Sequence, residues 1–374
     1  MTSHSIFAGR AARLRQHMVR HSSSHRFSQP INDETFASLA LDWFAVQFEH
    51  NAPYQRWCKA AGATPERVTD WTGIPAMPAS AFKELELTSL PAARRTSVFH
   101  SSGTTGQRPG RHFHDDESLA LYEASLLAWF RTCLLAEGQG RVRLLSLTPS
   151  PTHAPHSSLV HMFETLRREL GLPGSGFFGG ADAAGAWTLA SDELEAAIRG
   201  ATGPVMLLGT AFSYVNWLDA LEADGRELNL PPGSRVLETG GYKGRSRALP
   251  KPELHQLIGE KFGVSKEQIV CEYGMSELSS QAYDARLDDD GRGSASRSFQ
   301  FPPWARVRVI APETGREVGE GETGLVRVFD LANLWSVSAV QTEDLAVRRR
   351  DGFELIGRAA AAEARGCSLM PAGR

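Results

Sequence analysis

"PVMLLGTAFSYVNWLDALEADG" (204–225) reads as a buried strand running straight into a helix. Val205 to Leu208 form a continuous apolar run, short enough for a strand covered on both faces. From Ser213 the apolar residues recur at helical spacing, and the helix stops at Gly225. The same alternation extends on both sides. "VRLLSLTP" (142–149) reads as a strand and "SLVHMFETLRREL" (158–170) as a helix; "RVLETGG" (235–241) is a strand, "KPELHQLIGEKFG" (251–263) a helix and "QIVCEYGM" (268–275) a strand. Alternating elements of this kind predict an α/β fold, a mostly parallel sheet flanked by helices.

Toward the N-terminus, Phe36, Leu39, Ala40, Trp43, Phe44 and Phe48 lie on one face of a helix spanning Glu34 to His50, which Pro53 is expected to close. "IPAMPASAF" (74–82) reads as a Pro-rich connector, and Asp116 to Leu135 as a long helix. Past the polar stretch "DDDGRGSASR" (288–297), four short strands without helices predict a small β subdomain. The expected division is a basic tail over 1–32, an α/β core over 33–302, the β subdomain over 303–358 and a short C-terminal tail over 359–374. The first segment carries Arg10, Arg13, Arg15, Arg20 and Arg26 with no acid before Asp33. Two readings stay open for it, a targeting segment and a solvated, poorly ordered tail, with the tail preferred.

Bulk properties narrow the function. The net charge of −3 gives no basic surplus for nucleic acid. No 18-residue apolar window predicts a membrane span. Cys58, Cys133, Cys271 and Cys367 are scattered without a C-x-x-C pair, which predicts neither a zinc site nor a disulfide framework and suits a reducing, cytoplasmic setting.

Ligands of open α/β sheets bind beyond the carboxyl ends of the strands. "SSGTTG" (101–106) concentrates backbone and hydroxyl donors, either for a polyphosphate or as a Ser/Gly turn; it lacks the ending of a Walker loop. "YGMSE" (273–277) offers an aromatic ring, a hydroxyl and a carboxylate. "TEDL" (342–345) offers a carboxylate for ribose hydroxyls, and "LIGR" (355–358) a cation. "GSGFFG" (174–179) follows a helix, so it fails as a dinucleotide fingerprint. His112, His114, His153, His156 and His161 match no zinc spacing and are read as lining a loop or cleft.

In this order the segments resemble the adenylate-forming superfamily of acyl-CoA synthetases and adenylation domains. The resemblance implies ATP and Mg²⁺ as cofactors. Ser101, Ser102, Gly103, Thr104, Thr105 and Gly106 would hold the phosphates. Gly240 and Gly241 of "ETGGYKG" would border adenine, with Tyr273 and Gly274 beside it. Ser276 would meet the α-phosphate, Glu277 the Mg²⁺, Asp344 the ribose and Arg358 its surroundings. Thr104 and Glu277 would carry adenylation. The superfamily's Pro-Lys after the phosphate loop reads Gln107-Arg108-Pro109-Gly110-Arg111 here. Its additional C-terminal domain, with a catalytic lysine, is expected to lack a counterpart, since the last lysine here is Lys266.

"NAPYQRWC" (51–58), "IPAMPASAFKELEL" (74–87) and "EARGCSLMPAGR" (363–374) resemble one branch, the LuxE-type acyl-protein synthetases that feed fatty-acid reduction in bacterial luminescence. That likeness implies a carboxylic-acid substrate, a fatty acid, activated as acyl-AMP. The acyl group would pass to Cys367 as a catalytic thiol, and then to a partner protein (a reductase or carrier) or to CoA. No nucleic-acid partner and no integral membrane association are expected. An aryl-acid or CoA ligase, and a nucleotide-binding homologue without turnover, remain the alternatives.

Overall fold

A computed structural model describes residues 3–23, 31–101, 108–135, 139–183, 185–242, 246–284 and 297–359. Its centre is a six-stranded sheet in the order β11-β10-β9-β8-β4-β5. The strands are β4 (Arg143–Ser146), β5 (Gly176–Phe177), β8 (Val205–Thr210), β9 (Arg235–Thr239), β10 (Ile269–Tyr273) and β11 (Ala282–Tyr283). All neighbours are parallel except β10 and β11, which run antiparallel. Every residue of β8 is buried, as a strand covered on both faces requires.

Helices cover the two faces. They are α5 (Asp116–Leu134), α6 (Ser158–Leu170), α7 (Ser191–Arg199), α8 (Ala211–Ala223) and α9 (Lys251–Phe262), following α1 (Ser3–Ser23), α2 (Asp33–His50), α3 (Ala52–Ala60) and the single turn α4 (Ala81–Glu84). Asp115 starts α5 with a reciprocal capping box to Ser118, and Thr210 caps α8 directly off β8. One apolar cluster holds α5 and α6 against the sheet, and a second holds α8 and α9.

A second sheet has five strands, β1 (Met77–Pro78), β12 (Ala305–Ile310), β13 (Thr323–Asp330), β14 (Ala339–Arg349) and β15 (Gly352–Arg358). Two hairpins complete the fold: β2 (Ser97–His100) with β3 (Arg111–His114), and β6 (Gly179–Ala181) with β7 (Trp187–Leu189).

Four features differ from the expectations above. Residues 3–23 form a helix where a tail was expected: Phe7, Ala11, Leu14 and Met18 make a narrow apolar stripe, at most 2 % exposed, that packs into the core between the arginines. Helix α2 ends at His50 as expected, but Pro53 does not close it: Asn51 caps α3, and Pro53 sits in the first turn of that next helix. The connector at 74–82 contributes β1, which pairs in parallel with β14. Lastly, residues 303–358 do not bury a core of their own. Trp304, Val326 and Phe353 belong to the cluster that also contains Trp43 and Phe130.

Candidate active site

The carboxyl ends of β8, β9 and β10 are level. Thr210 is in register with Thr239, and Thr239 with Glu272. Gly240 and Gly241 leave β9 exposed at this edge, and Tyr273 to Glu277 leave β10 beside them.

Tyr273 is buried among Phe299, Phe301 and Phe353, and its hydroxyl donates to Asp344 Oδ2 at 2.7 Å. Asp344 pairs across β14 and β15 with Arg358, whose Nε lies 3.8 Å from Asp344 Oδ1. Burial lifts the Asp344 carboxyl, opposed by the Tyr273 hydroxyl and by Arg358. Arg358 itself is largely exposed, so this ion pair is weak as a stabiliser.

Glu277 is 6 % exposed. Ser276 Oγ donates to it at 3.0 Å, and burial raises its carboxyl while Arg358 opposes the rise. Glu277, Asp344 and Arg358 therefore share one electrostatic environment. The base of the "SSGTTG" loop reaches the same place. Ser101 N–H donates to Gly110 O at 3.0 Å, and Gly110 N–H donates to Ser101 Oγ at 2.7 Å. A Cβ on Gly110 would lie 2.8 Å from Ser101 Oγ and 3.0 Å from Glu277 Oε1. Only glycine lets the strand leaving the loop pass so close to both groups. Ser102, Gly103, Thr104, Thr105 and Gly106, like Cys367, lie outside the described residues.

His112, two residues beyond Gly110, ties that strand to the "YGMSE" segment. Its Nδ1 is 2.8 Å from Ser276 O, so Nδ1–H donates, and its ring lies 4.2 Å from that of His114. Burial lowers its pKa to about 4, opposed by the Ser276 carbonyl. The unfolded chain then binds a proton below pH 6.5 that the native state refuses. Stability is whole above the ordinary histidine value and falls with pH toward the folded one, by about 3 kcal/mol from this group. His112→Asn keeps an N–H donor without the titration. Its unfolding free energy, followed by denaturant between pH 7 and 4, should show a correspondingly shallower acid loss. Parallel losses in both proteins would remove the assignment.

Sequence reasoning missed a buried polar frame beneath these residues. Asp330 Oδ2 accepts from the N–H groups of Ser279 and Ser280, at 2.9 and 2.8 Å. Its Oδ1 accepts from Ser280 Oγ at 2.7 Å and Ala332 N–H at 2.9 Å. Asn333 Nδ2 donates to Glu277 O at 2.7 Å, and Asn333 Oδ1 accepts from Ser279 Oγ at 2.6 Å. The available signal was an aspartate and an asparagine inside the apolar run "VFDLANLW" (328–335). Of the histidines, His112 and His114 are buried, whereas His153 hydrogen-bonds Ser150 at an exposed turn. Among the described residues no group of three or more His, Cys, Asp or Glu side chains is arranged to hold a metal ion, and no helix is long and apolar enough to cross a membrane. A cavity of about 280 Å³ lies beyond β4 and β8, walled by Leu147, Trp187, Leu189, Phe212 and Trp217.

The family described as "Acyl-protein synthetase, LuxE" matches residues 11–372. The chain belongs to the LuxE acyl-protein synthetase family. A long-chain-fatty-acid–luciferin-component ligase of Vibrio harveyi is 22% identical over 350 residues, covering 87% of this chain and 84% of the relative. The ligase of the same description from Aliivibrio fischeri is 22% identical over 186 residues, covering 47% of each chain. An open-conformation structure of 2-hydroxyisobutyryl-CoA ligase with 2-HIB-AMP and CoA superimposes with TM-score 0.63 at 14% identity, covering 87% of this chain and 74% of that one. The same ligase in its thioesterification state gives a TM-score of 0.65, covering 88% and 69%. The architecture is thus that of the adenylate-forming ligases. As a LuxE family member, the chain is an ATP-dependent ligase that activates a carboxylic acid as its adenylate and transfers the acyl group.

Proposed function

We propose that the acid is a fatty acid, that Cys367 is the first acyl acceptor and that a partner protein receives the acyl group from it. The observation that carries the site is the meeting of Ser101, Gly110 and Glu277, within an electrostatic field shared with Asp344 and Arg358. Segments far apart in sequence come together there so closely that no side chain fits at position 110.

This geometry fits a nucleotide with a divalent cation. Glu277 is a buried carboxylate bonded by Ser276 Oγ, and no salt bridge to it forms among the described residues. Glu277 would hold Mg²⁺, which when bound neutralises phosphate charge. The hydroxyls and amides of residues 101–106 would orient the phosphates, Ser276 the α-phosphate, and Asp344, with Tyr273 behind it, the ribose. Gly240, Gly241 and Gly274 would border the base. A carboxylate oxygen of the acid attacks the α-phosphorus, and the bond to pyrophosphate breaks. The Cys367 thiolate then attacks the acyl carbon, AMP leaves, and a thioester remains. The chain's contribution to adenylation is positioning and charge stabilisation at the phosphates. The cavity beyond β4 and β8, where Thr188, Ser191, Ser213 and Asn216 stand beside the apolar wall, offers that wall to the hydrocarbon tail, and a cytoplasmic setting suits a reduced thiol.

Exchange of radioactive pyrophosphate into ATP, across a panel of fatty and aryl acids, tests this reading. Exchange should depend on acid and be fastest with fatty acids; preference for an aryl acid would replace the substrate class. After incubation with ATP and labelled acid, the protein should carry a label that neutral hydroxylamine removes. Cys367→Ala should abolish that label and leave exchange near the wild-type rate. Undiminished labelling would move the acceptor elsewhere.

A further inference from the structure

We propose that Glu272 and Thr239 form a clasp that fixes the nucleotide-binding segments of two neighbouring strands relative to each other, making Glu272 a positioning residue for ATP. The proposal rests on the reading of Gly240, Gly241 and Gly274 as nucleotide-bordering.

Glu272 and Thr239 are the paired residues at the carboxyl ends of β10 and β9, and paired residues of parallel strands face the same side. Thr239 Oγ1 donates to a carboxylate oxygen of Glu272. Immediately after Thr239 the chain turns through Gly240, at φ 69°. Immediately after Glu272 it continues through Tyr273 and Gly274. The other carboxylate oxygen of Glu272 occupies the space where a side chain at 274 would stand, so a Cβ there would collide with Oε1. One carboxylate therefore braces both exits: it holds the last residue before the Gly-Gly segment and fills the concavity of the "YGMSE" turn.

Its depth and pairing suit this task. Glu272 is 6 % exposed, too deep to touch a nucleotide outside the sheet edge. No ion pair to it forms among the described residues, so it is not a structural salt bridge that happens to lie nearby. Thr239 is likewise 4 % exposed. A buried carboxylate is costly, and among the described residues the hydrogen bond of its side chain ties the two segments together. Loss of the clasp should loosen ATP binding without altering the bound transition state or the acid site.

The test is a double-mutant cycle on the full-length protein, read as steady-state exchange kinetics. Glu272→Ala and Thr239→Val should each raise the KM for ATP by about three- to tenfold, the worth of one buried hydrogen bond. The kcat and the KM for the acid should stay within about twofold. The double variant should be no worse than either single one, because both remove the same bond. Glu272→Gln, which keeps a carbonyl acceptor for Thr239, should restore most of the ATP affinity. Additive effects, or equal rises in both KM values, would overturn the clasp and mark a general loss of stability. Gly240→Ala separates the two levels, since that φ is strained for alanine. If it raises the ATP KM while Glu272→Ala and Thr239→Val do not, the clasp falls and the nucleotide segment stands. If none of the three raises it, the segment assignment falls and the clasp with it.

Discussion

Acid-dependent exchange of pyrophosphate into ATP should slow by about 10²–10³-fold in Glu277→Gln, with the protein still folded. Glutamine keeps the shape and an acceptor for Ser276 Oγ, so the buried contacts survive. What disappears is the charge. In a site this enclosed a charge acts through a lower effective dielectric than in water and is correspondingly strong. Removing one such stabilising group typically costs about 2.7–4 kcal/mol at the transition state. The loss should appear in kcat at saturating ATP and acid, and raising Mg²⁺ should restore little of it. A variant within threefold of wild type would mean that Glu277 merely fills the turn.

The second large effect concerns stability. Asp330→Ala should lower the unfolding free energy by about 3–5 kcal/mol, measured as a shift in denaturant midpoint at pH 7. The substitution strands three backbone donors at once, the N–H groups of Ser279, Ser280 and Ala332, and leaves Ser280 Oγ with Ser125 Oγ as its partner among the described residues. None is exposed enough for water to substitute freely. Burial raises the Asp330 carboxyl while these donors hold it down, so the native charge depends on them. Exchange should fall as well even where the variant folds, because Ser279 and Ser280 lie two and three residues beyond Glu277 and Ser279 also bonds Asn333, which holds the Glu277 carbonyl. A change below about 1 kcal/mol would show that the frame is dispensable.

These residues also show where sequence reading succeeds. The strands β8, β9 and β10 were legible because parallel strands buried on both faces are short apolar runs, and the helices between them stop at glycine or begin at proline. Ser101, Tyr273 and Glu277 drew notice as candidates because they sit at or just after strand ends, whereas Asp344, expected at a strand start, lies within β14. Asp330 did not, since its importance comes from donors fifty positions away in the chain. Helix α1 was hidden for another reason. Its stripe of Phe7, Ala11, Leu14 and Met18 is one residue wide, and arginine, serine and histidine dominate the composition around it. The strand β1 was too short to register, being two residues whose partner lies in β14. The role of Glu272 lay hidden in a pairing register, which no single segment reveals.

The N-terminal helices carry one further consequence. Trp43 Nε1 donates to Leu331 O, Gln47 bonds Asn333, Leu334 and Ser338, and Asn51 donates to Ser336 O. Phe7 stacks on Trp335. A ribosome must therefore add nearly three hundred more residues before the first helices meet the backbone that satisfies their polar side chains. At about 5–20 residues per second that wait is roughly 15–60 s. Throughout it a strongly apolar segment stands without its native cover, so the nascent chain should lean on chaperones early, and slowing translation late should cost more soluble enzyme than slowing it at the start.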